Sequence, residues 1–128
     1  MIGKNNPLNV RYNPLNRWQG LDGQYKGFCN FIDSYYGLRA AFYLISKSYK
    51  RKGVITYKQI IERYAPPSEN NSADYVVFIC NRCNVFPFDV PKTDNDWIDL
   101  MHYMSVYEGN SVSKSDIEEF LNIYKKCG

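Results

Sequence analysis

Helical periodicity begins near residue 33 and continues to the end of the chain. Apolar residues recur there at three- and four-residue spacing, and each stretch opens on a residue that caps helices well. Gly53 and Pro66-Pro67 end the first two stretches, and Ser115 with Glu118 has the spacing of a capping box. The pattern predicts five helices: from Asp33 or Ser34 to about Lys52, from Thr56 to Tyr64, from Asn71 or Ser72 to about Asn84, from Thr93 or Asp94 to about Tyr107, and from Ser115 to just before Gly128.

Residues 1–32 lack this periodicity and hold many turn-forming Pro, Gly and Asn residues. Three short stretches, Asn9–Tyr12, Arg17–Gln19 and Gly27–Phe31, fit extended segments of a small irregular sheet. Gly37 weakens the first helix near its start, so we expect a close packing contact there. No linker, repeat or low-complexity tract interrupts residues 1–128. The sequence therefore predicts a single α+β domain, mostly α, with about five helices and a small β region near the N-terminus.

Charge and hydropathy narrow the class of partner. The net charge is +3 with a pI near 8.6, and the basic residues are dispersed, which does not indicate a nucleic-acid partner. A mildly positive surface would suit an anionic polymer such as peptidoglycan or teichoic acid. The sequence has neither a signal-peptide pattern nor a stretch long enough to span a membrane. We expect synthesis in the cytoplasm without a signal peptide, so another component would have to carry the protein to any site of action outside the cell.

The cysteines do not indicate a metal site or a cofactor. Cys80 and Cys83 form a C-x-x-C within an apolar helical pattern, but no second pair of Cys or His follows at zinc spacing. His102 is the only histidine of the chain. We therefore interpret these cysteines as buried thiols and predict neither a metal nor a cofactor.

An Asn-rich N-terminal segment is the first candidate for a binding surface. Its amides and Arg11 offer many donors and acceptors, and Trp18 offers a flat apolar face. Sugar rings need both, because hydroxyls require hydrogen bonds and axial C–H groups stack on aromatic rings. The alternative is that the Asn residues only form turns and that Trp18 belongs to the core. Composition alone leaves both interpretations open.

Two glutamates are candidates for chemistry. Glu69 follows a stiff Pro-Pro turn and precedes a predicted helix start, where an acid is favourable for electrostatic reasons alone. Glu108 lies at the C-terminal end of a predicted helix and is followed by Gly109. A carboxylate there faces the negative end of the helix dipole, which is unfavourable. A position that opposes the local preference makes Glu108 the stronger candidate for a general acid, although exposed glutamates at helix ends are common.

Several motifs occur in an order found in a known family. They are an Asn-rich segment, a Trp-x-Gly turn, an aromatic Asp-Ser-Tyr-Tyr-Gly helix start and an Ala-Pro-Pro-Ser-Glu-Asn-Asn loop. The four motifs occupy Asn5–Tyr12, Trp18–Gly20, Phe31–Ala40 and Tyr64–Asn71, and Tyr75 follows the last of them. From about residue 3 to residue 110 the chain resembles a family of phage and prophage structural proteins associated with the virion.

The layout is also similar, more distantly, to the glucosaminidase branch of the lysozyme superfamily. In that branch the catalytic Glu lies at a helix end before the Asn-rich segment, whereas only four residues precede Asn5 here. A helix ending in Glu108-Gly109 occurs instead at the other end of the chain. The resemblance implies a circularly permuted lysozyme-like domain, a rearrangement that proteins tolerate when their termini lie close together at the surface. Glu108 would then pack beside the Asn5–Arg11 loop, and Glu69 would line the same groove.

This resemblance implies cleavage of the β-1,4 glycan backbone of peptidoglycan by a glycosidase or a lytic transglycosylase, with Glu108 as general acid. Glu69 or Asp33 would be the second carboxylate of a hydrolase, and a lytic transglycosylase would need none. The residues expected to bind the sugars are Asn5, Asn6, Asn9, Arg11, Trp18, Asp33, Tyr64, Asn70 and Tyr75. Such a protein would be delivered to the cell wall by a virion, a holin or a secretion machine. The alternative is a non-catalytic phage virion or cell-wall glycan-binding module that keeps the groove but not the chemistry.

Overall fold

The computed structural model describes residues 1–68 and 70–127. Its elements follow in the order β1 (Leu21–Tyr25), β2 (Phe28–Phe31), α1 (Ser34–Tyr43), a π-helical segment (Leu44–Ser48), α2 (Tyr49–Arg51), α3 (Tyr57–Tyr64), α4 (Ser72–Cys83), α5 (Asp94–Tyr107) and α6 (Lys114–Cys127). The π-helical segment joins α1 to α2 without a break, so these residues form five helical rods and one two-stranded antiparallel sheet. The predicted α+β class, mostly α, is confirmed.

The sheet is a tight hairpin. Tyr25 pairs with Phe28, and the two residues between them turn the chain. Lys26 and Gly27 have φ values of 51° and 84°. A type I′ hairpin turn requires positive φ at both central residues, and its twist matches that of the strands. The Lys-Gly pair therefore fixes where β1 ends and β2 begins.

The predicted strands were only partly right. Gly27–Phe31 contains β2, but Arg17–Gln19 lies outside both strands and Asn9–Tyr12 contributes a single bridge from Arg11 to Phe28. The first strand, β1, was not predicted. Four of its five residues are exposed, so it lacks the alternation of apolar and polar residues that marks a half-buried strand.

Side-chain caps start the helices where the sequence places them. Asp33 accepts from the backbone N–H of Tyr35 at the start of α1, and Asn71 caps α4. Thr56 and Thr93 each form a complete capping box, at α3 and α5. The predicted start of α6 was wrong, because Ser113 rather than Ser115 accepts from the N–H of the third helical residue.

One apolar cluster joins the helices to the N-terminal segment. Leu8 and Val10 are 0% and 1% exposed, so this segment lies in the core and not over it. On the helical side, the Phe42 ring contacts three aromatic rings from α5 and α6 edge-on. The N-terminal segment is therefore part of the core, and the candidate site lies between this segment and the end of α5.

Gly37 makes the close contact that its place in the first helix predicts. A Cβ added there would lie 2.1 Å from the Asn5 carbonyl oxygen and 3.0 Å from Pro7. Helix propensity alone favours Gly37→Ala by about 1 kcal/mol. The clash with a backbone atom outweighs that gain, and we expect Gly37→Ala to lower the free energy of unfolding by about 2 kcal/mol. Urea unfolding measures this, and a gain in stability would contradict the contact.

Candidate functional site

The Asn5–Arg11 loop takes its shape from its own asparagines. Asn5 and Asn9 have φ values of 54° and 53°, in the left-handed region that Asn tolerates better than most residues. Asn6 is 0% exposed. Its side chain accepts from the N–H of Val10 at 2.8 Å and donates to the carbonyls of Val10 and Cys29, both at 2.9 Å. The Asn6 side chain therefore holds the loop together from inside, and the Asn9 N–H donates to the Asn6 carbonyl at 3.1 Å.

Glu108 lies at the end of α5, beside this loop. It is the C-cap residue of the helix, and Gly109 reverses the chain with a φ of 88°. Asn9 Nδ2 donates to Glu108 Oε1 at 3.0 Å, and the Tyr75 hydroxyl donates to Oε2 at 3.0 Å. The prediction that Glu108 packs beside the Asn5–Arg11 loop is confirmed. Its half-buried carboxylate is held in one orientation by a donor on each oxygen.

Two tyrosine hydroxyls lie close to this carboxylate. Burial and then the Glu108 charge raise the pKa of Tyr75 well above its usual range, and the same two causes raise the pKa of Tyr64. Both phenols therefore stay protonated and remain donors at neutral and moderately alkaline pH. Tyr64 donates to the Leu8 carbonyl at 2.5 Å, which fastens α3 to the N-terminal loop.

Asn110 was not among the predicted site residues. Its Nδ2 donates to the Pro7 carbonyl at 2.8 Å and lies 3.4 Å from Asn9 Oδ1. It thus ties the chain just after Glu108 to the loop that contacts Glu108. A signal for Asn110 in the sequence is its position directly after Gly109, the glycine that follows Glu108 and reverses the chain. We refer to Asn9, Tyr64, Tyr75, Glu108 and Asn110 as the Glu108 cluster.

Removal of the Tyr75 hydroxyl tests how firmly the carboxylate is held. Tyr75→Phe keeps the ring, which stacks on Tyr107 with centroids 3.9 Å apart, but loses the donor to Glu108. We expect the free energy of unfolding to fall by about 1 kcal/mol. The control is Tyr107→Phe, because the hydroxyl of Tyr107 has no hydrogen bond within the described residues. Equal losses in the two variants in urea unfolding would mean that the Tyr75 hydrogen bond contributes nothing specific.

Two predicted sugar-binding residues have backbone partners instead. The prediction that Asn6 binds a sugar is wrong. Its side chain is fully buried and all three of its hydrogen bonds are to backbone groups, so it cannot reach a ligand. Asn5 is half-buried and donates to the Phe31 carbonyl at 2.9 Å. The interpretation of these Asn residues as turn formers, which the sequence left open, describes Asn5 and Asn6.

Three further residues predicted for the site lie outside the Glu108 cluster, namely Trp18, Asp33 and Arg11. Trp18 packs edge-on against Tyr43 at 6.1 Å, and its indole N–H is buried without a hydrogen-bond partner among the described residues. Asp33 caps α1 and lines a different cleft. Arg11 is exposed, lies over the Phe28 ring and is near enough to lower the pKa of Tyr64 against the effect of burial.

The Pro-Pro loop contains two further residues that the sequence predicts for the site. Asn70 is exposed, and its backbone N–H donates to the Pro66 carbonyl at 3.0 Å. Glu69, the other predicted catalytic residue, lies outside the described residues. Among the residues that the structure describes, Glu108 is an acid that lies beside the Asn5–Arg11 loop.

Several surface clefts open in residues 1–68 and 70–127. Four clefts there have volumes from about 340 to about 550 Å³, and Glu108 lines none of these four. No group of three or more His, Cys, Asp or Glu in these residues could hold a metal ion. None of the described helices combines the length and apolarity needed to cross a membrane.

Comparison with known proteins does not identify a family. No protein-family model matches the chain, and no curated protein matches it. The Glu108 cluster is the feature of the molecule from which a function can be inferred.

Proposed function

We propose that this protein cleaves the β-1,4 glycan backbone of peptidoglycan, with Glu108 as general acid, on a circularly permuted lysozyme-like domain. The observation that supports the proposal is the contact between Glu108 Oε1 and Asn9 Nδ2, at 3.0 Å across 99 residues of sequence. It joins the helix that ends in Glu-Gly to the Asn-rich loop. In the lysozyme-like arrangement the acid and this loop are neighbours, and here the acid comes from the opposite end of the chain.

The surroundings of Glu108 leave room on its carboxylate for a proton and for a substrate. Each carboxylate oxygen has two acceptor positions, and Asn9 and Tyr75 occupy one on each oxygen. One position on each oxygen therefore remains for the transferable proton and for substrate. The two donors hold the carboxylate in a fixed orientation, so little reorganisation is needed when the glycosidic bond approaches.

For the residues that the structure describes, a lytic transglycosylase is the simpler proposal. Among the described residues, Glu108 is the one carboxylate whose charge acts on both Tyr64 and Tyr75. Asp33, a candidate for the second acid, caps α1 instead. A lytic transglycosylase needs no second carboxylate, because a hydroxyl of the sugar attacks the anomeric carbon and closes a ring. In the hydrolase variant Glu69 would activate water.

The substrate would lie across the open face of the Glu108 cluster. Arg11, exposed and close to Tyr64, would donate to sugar hydroxyls or to the carboxylates of the wall. Asn9 and Tyr64 would position Glu108 and the loop rather than contact the sugars, because Asn9 is buried and the Tyr64 hydroxyl donates to the Leu8 carbonyl. Asn70 and Trp18 would act further along the strand. A net charge of +3 favours approach to an anionic polymer.

Incubation of the protein with purified sacculi tests the proposal. Walls of several bacterial types are examined across a range of pH for soluble muropeptides. Borohydride then separates the two chemistries, because hydrolysis leaves a reducible sugar end and transglycosylation leaves an anhydro end that borohydride does not reduce. Release of anhydro products is the expected result. No release from any wall at any pH would contradict the enzymatic proposal.

A second candidate is a non-catalytic glycan-binding module carried by a phage virion. The observation in its favour is that Glu108 also has a structural role, because its two carboxylate oxygens accept hydrogen bonds from Asn9 of the N-terminal loop and from Tyr75 of α4. Such a module would be pulled down with sacculi without releasing muropeptides, and its binding would tolerate Glu108→Gln. Immunodetection of the protein in purified virions would test the delivery route, and holin-dependent or secretion-dependent release would separate the other two routes.

A further inference from the structure

A second surface feature stands apart from the Glu108 cluster. A cleft of about 490 Å³ opens beside the π-helical segment that joins α1 to α2. Its other walls come from the chain before α3, from α3 itself, and from the Val90–Lys92 segment and Trp97 of α5. The volume falls within the range of small-molecule sites. π-Helical segments often occur where a helix contributes to a functional site.

The floor of this cleft is apolar and aromatic. Phe42, Ile45 and Ile60 line it and are 8%, 1% and 1% exposed. Trp97 forms one wall and packs edge-on against Phe42 with centroids 5.8 Å apart. A hydrocarbon chain that entered would replace water over rigid aromatic and branched side chains, which is favourable.

The rim of the cleft is positive. Lys47, Lys50 and Lys92 line it, and its lining contains no acidic residue. None of the three ammonium groups has an ion pair within residues 1–68 and 70–127. Asp96 is close enough to Lys92 to sense its charge, but Asp96 Oδ2 accepts from the backbone N–H groups of Lys92 and Thr93. The Asp96 carboxylate therefore caps α5 and does not pair with the Lys92 ammonium.

The wall opposite the π-helical segment is fixed before any ligand arrives. The N–H groups of Tyr57 and Lys58, at the start of α3, donate to the carbonyls of Asp89 and Pro87, both at 3.0 Å. These bonds anchor the chain that leads into Val90 and Pro91. A preformed wall lowers the entropy that is lost when a ligand binds.

We propose that this cleft binds an amphipathic anion, with a carboxylate or phosphate head at the three lysines and an aliphatic tail on the Phe42–Trp97 floor. An apolar floor with a purely cationic rim matches both ends of such a molecule. A fatty acid, an alkyl phosphate and the head region of an anionic lipid all share this chemistry. The site is separate from the proposed glycan cleavage and does not depend on it.

Trp97 provides the readout of binding. In a Trp18→Phe background Trp97 is the one remaining tryptophan, so its fluorescence reports on the cleft. Decyl phosphate, kept below its micellar concentration, should give a saturable change with one site per chain. Decanol and decyltrimethylammonium should bind about tenfold more weakly, because they lack the negative head. Calorimetry on the wild-type protein repeats the measurement without a substitution.

Two variants test the contacts. The triple variant Lys47→Gln, Lys50→Gln, Lys92→Gln should weaken decyl phosphate binding about tenfold, whereas Lys4→Gln, Lys26→Gln, Lys126→Gln removes equal charge elsewhere and should leave it unchanged. Ile55→Glu, which puts a carboxylate on a partly exposed lining residue, should abolish binding. Absence of saturation, equal binding by both triple variants, or binding to phosphatidylglycerol vesicles without binding to free decyl phosphate would each overturn the proposal.

Discussion

Glu108→Gln is expected to lower the rate of muropeptide release at least about a hundredfold, the usual contribution of a general acid. The substitution keeps the shape of the side chain and removes the transferable proton. The contacts can also persist, because Asn9 Nδ2 can donate to the Gln oxygen, and the Gln amide can donate to the Tyr75 hydroxyl, which also accepts. The thermal midpoint should therefore change little while the activity is lost.

The control for this variant is another glutamate on the same chain. Glu118 is exposed on α6, and Glu118→Gln removes one negative charge without touching the cluster. Release by Glu118→Gln should equal that of the wild type. Equal release by Glu108→Gln and wild type, with both proteins folded by circular dichroism, would exclude Glu108 as the acid. A large fall in thermal midpoint with no change in initial rate would assign Glu108 to the structure alone.

The helices could be predicted because their signals are local. The side chains of Asp33, Thr56, Asn71 and Thr93 accept from backbone groups two or three residues ahead, so the sequence carries the complete interaction. The start of α6 was misplaced by two residues, because Ser113 and Ser115 offer the same chemistry. Here the Val112 N–H, which donates to Ser105 Oγ, fixes the path of the chain into the helix.

The Glu108 cluster could be predicted only through the order of the motifs. No local signal relates Glu108 to Asn9, which lies 99 residues away. The resemblance predicts an acid beside the Asn-rich loop, and the hydrogen bond from Asn9 to Glu108 confirms that contact. The number of Asn residues does not show which of their side chains contact Glu108 and which contact only the backbone. Both Asn6 and Asn9 are buried, but the Asn9 side chain donates to the Glu108 carboxylate while that of Asn6 contacts only backbone groups, and this difference depends on which way each residue points after the chain folds.

The buried asparagine gives the largest expected effect on stability. Asn6→Ala removes the acceptor of the Val10 N–H and the donor to the Val10 and Cys29 carbonyls, all in a buried site. A buried donor without a partner costs about 1–3 kcal/mol, and the Val10 carbonyl keeps a second bond from the Cys29 N–H. We expect the free energy of unfolding to fall by about 3 kcal/mol. Asn122→Ala, at an exposed position of α6, should stay within about 0.5 kcal/mol of the wild type.

Asn6→Asp separates the donor role from the acceptor role. Aspartate can still accept from the Val10 N–H, but an ionised carboxylate would face two carbonyl oxygens that it cannot donate to. At neutral pH we expect this variant to be less stable than Asn6→Ala. Its stability should recover as the pH falls and the carboxyl acquires a proton that it can donate. A ligand-binding Asn6 would behave in the opposite way, because both variants would then keep the stability of the wild type and lose affinity for sacculi.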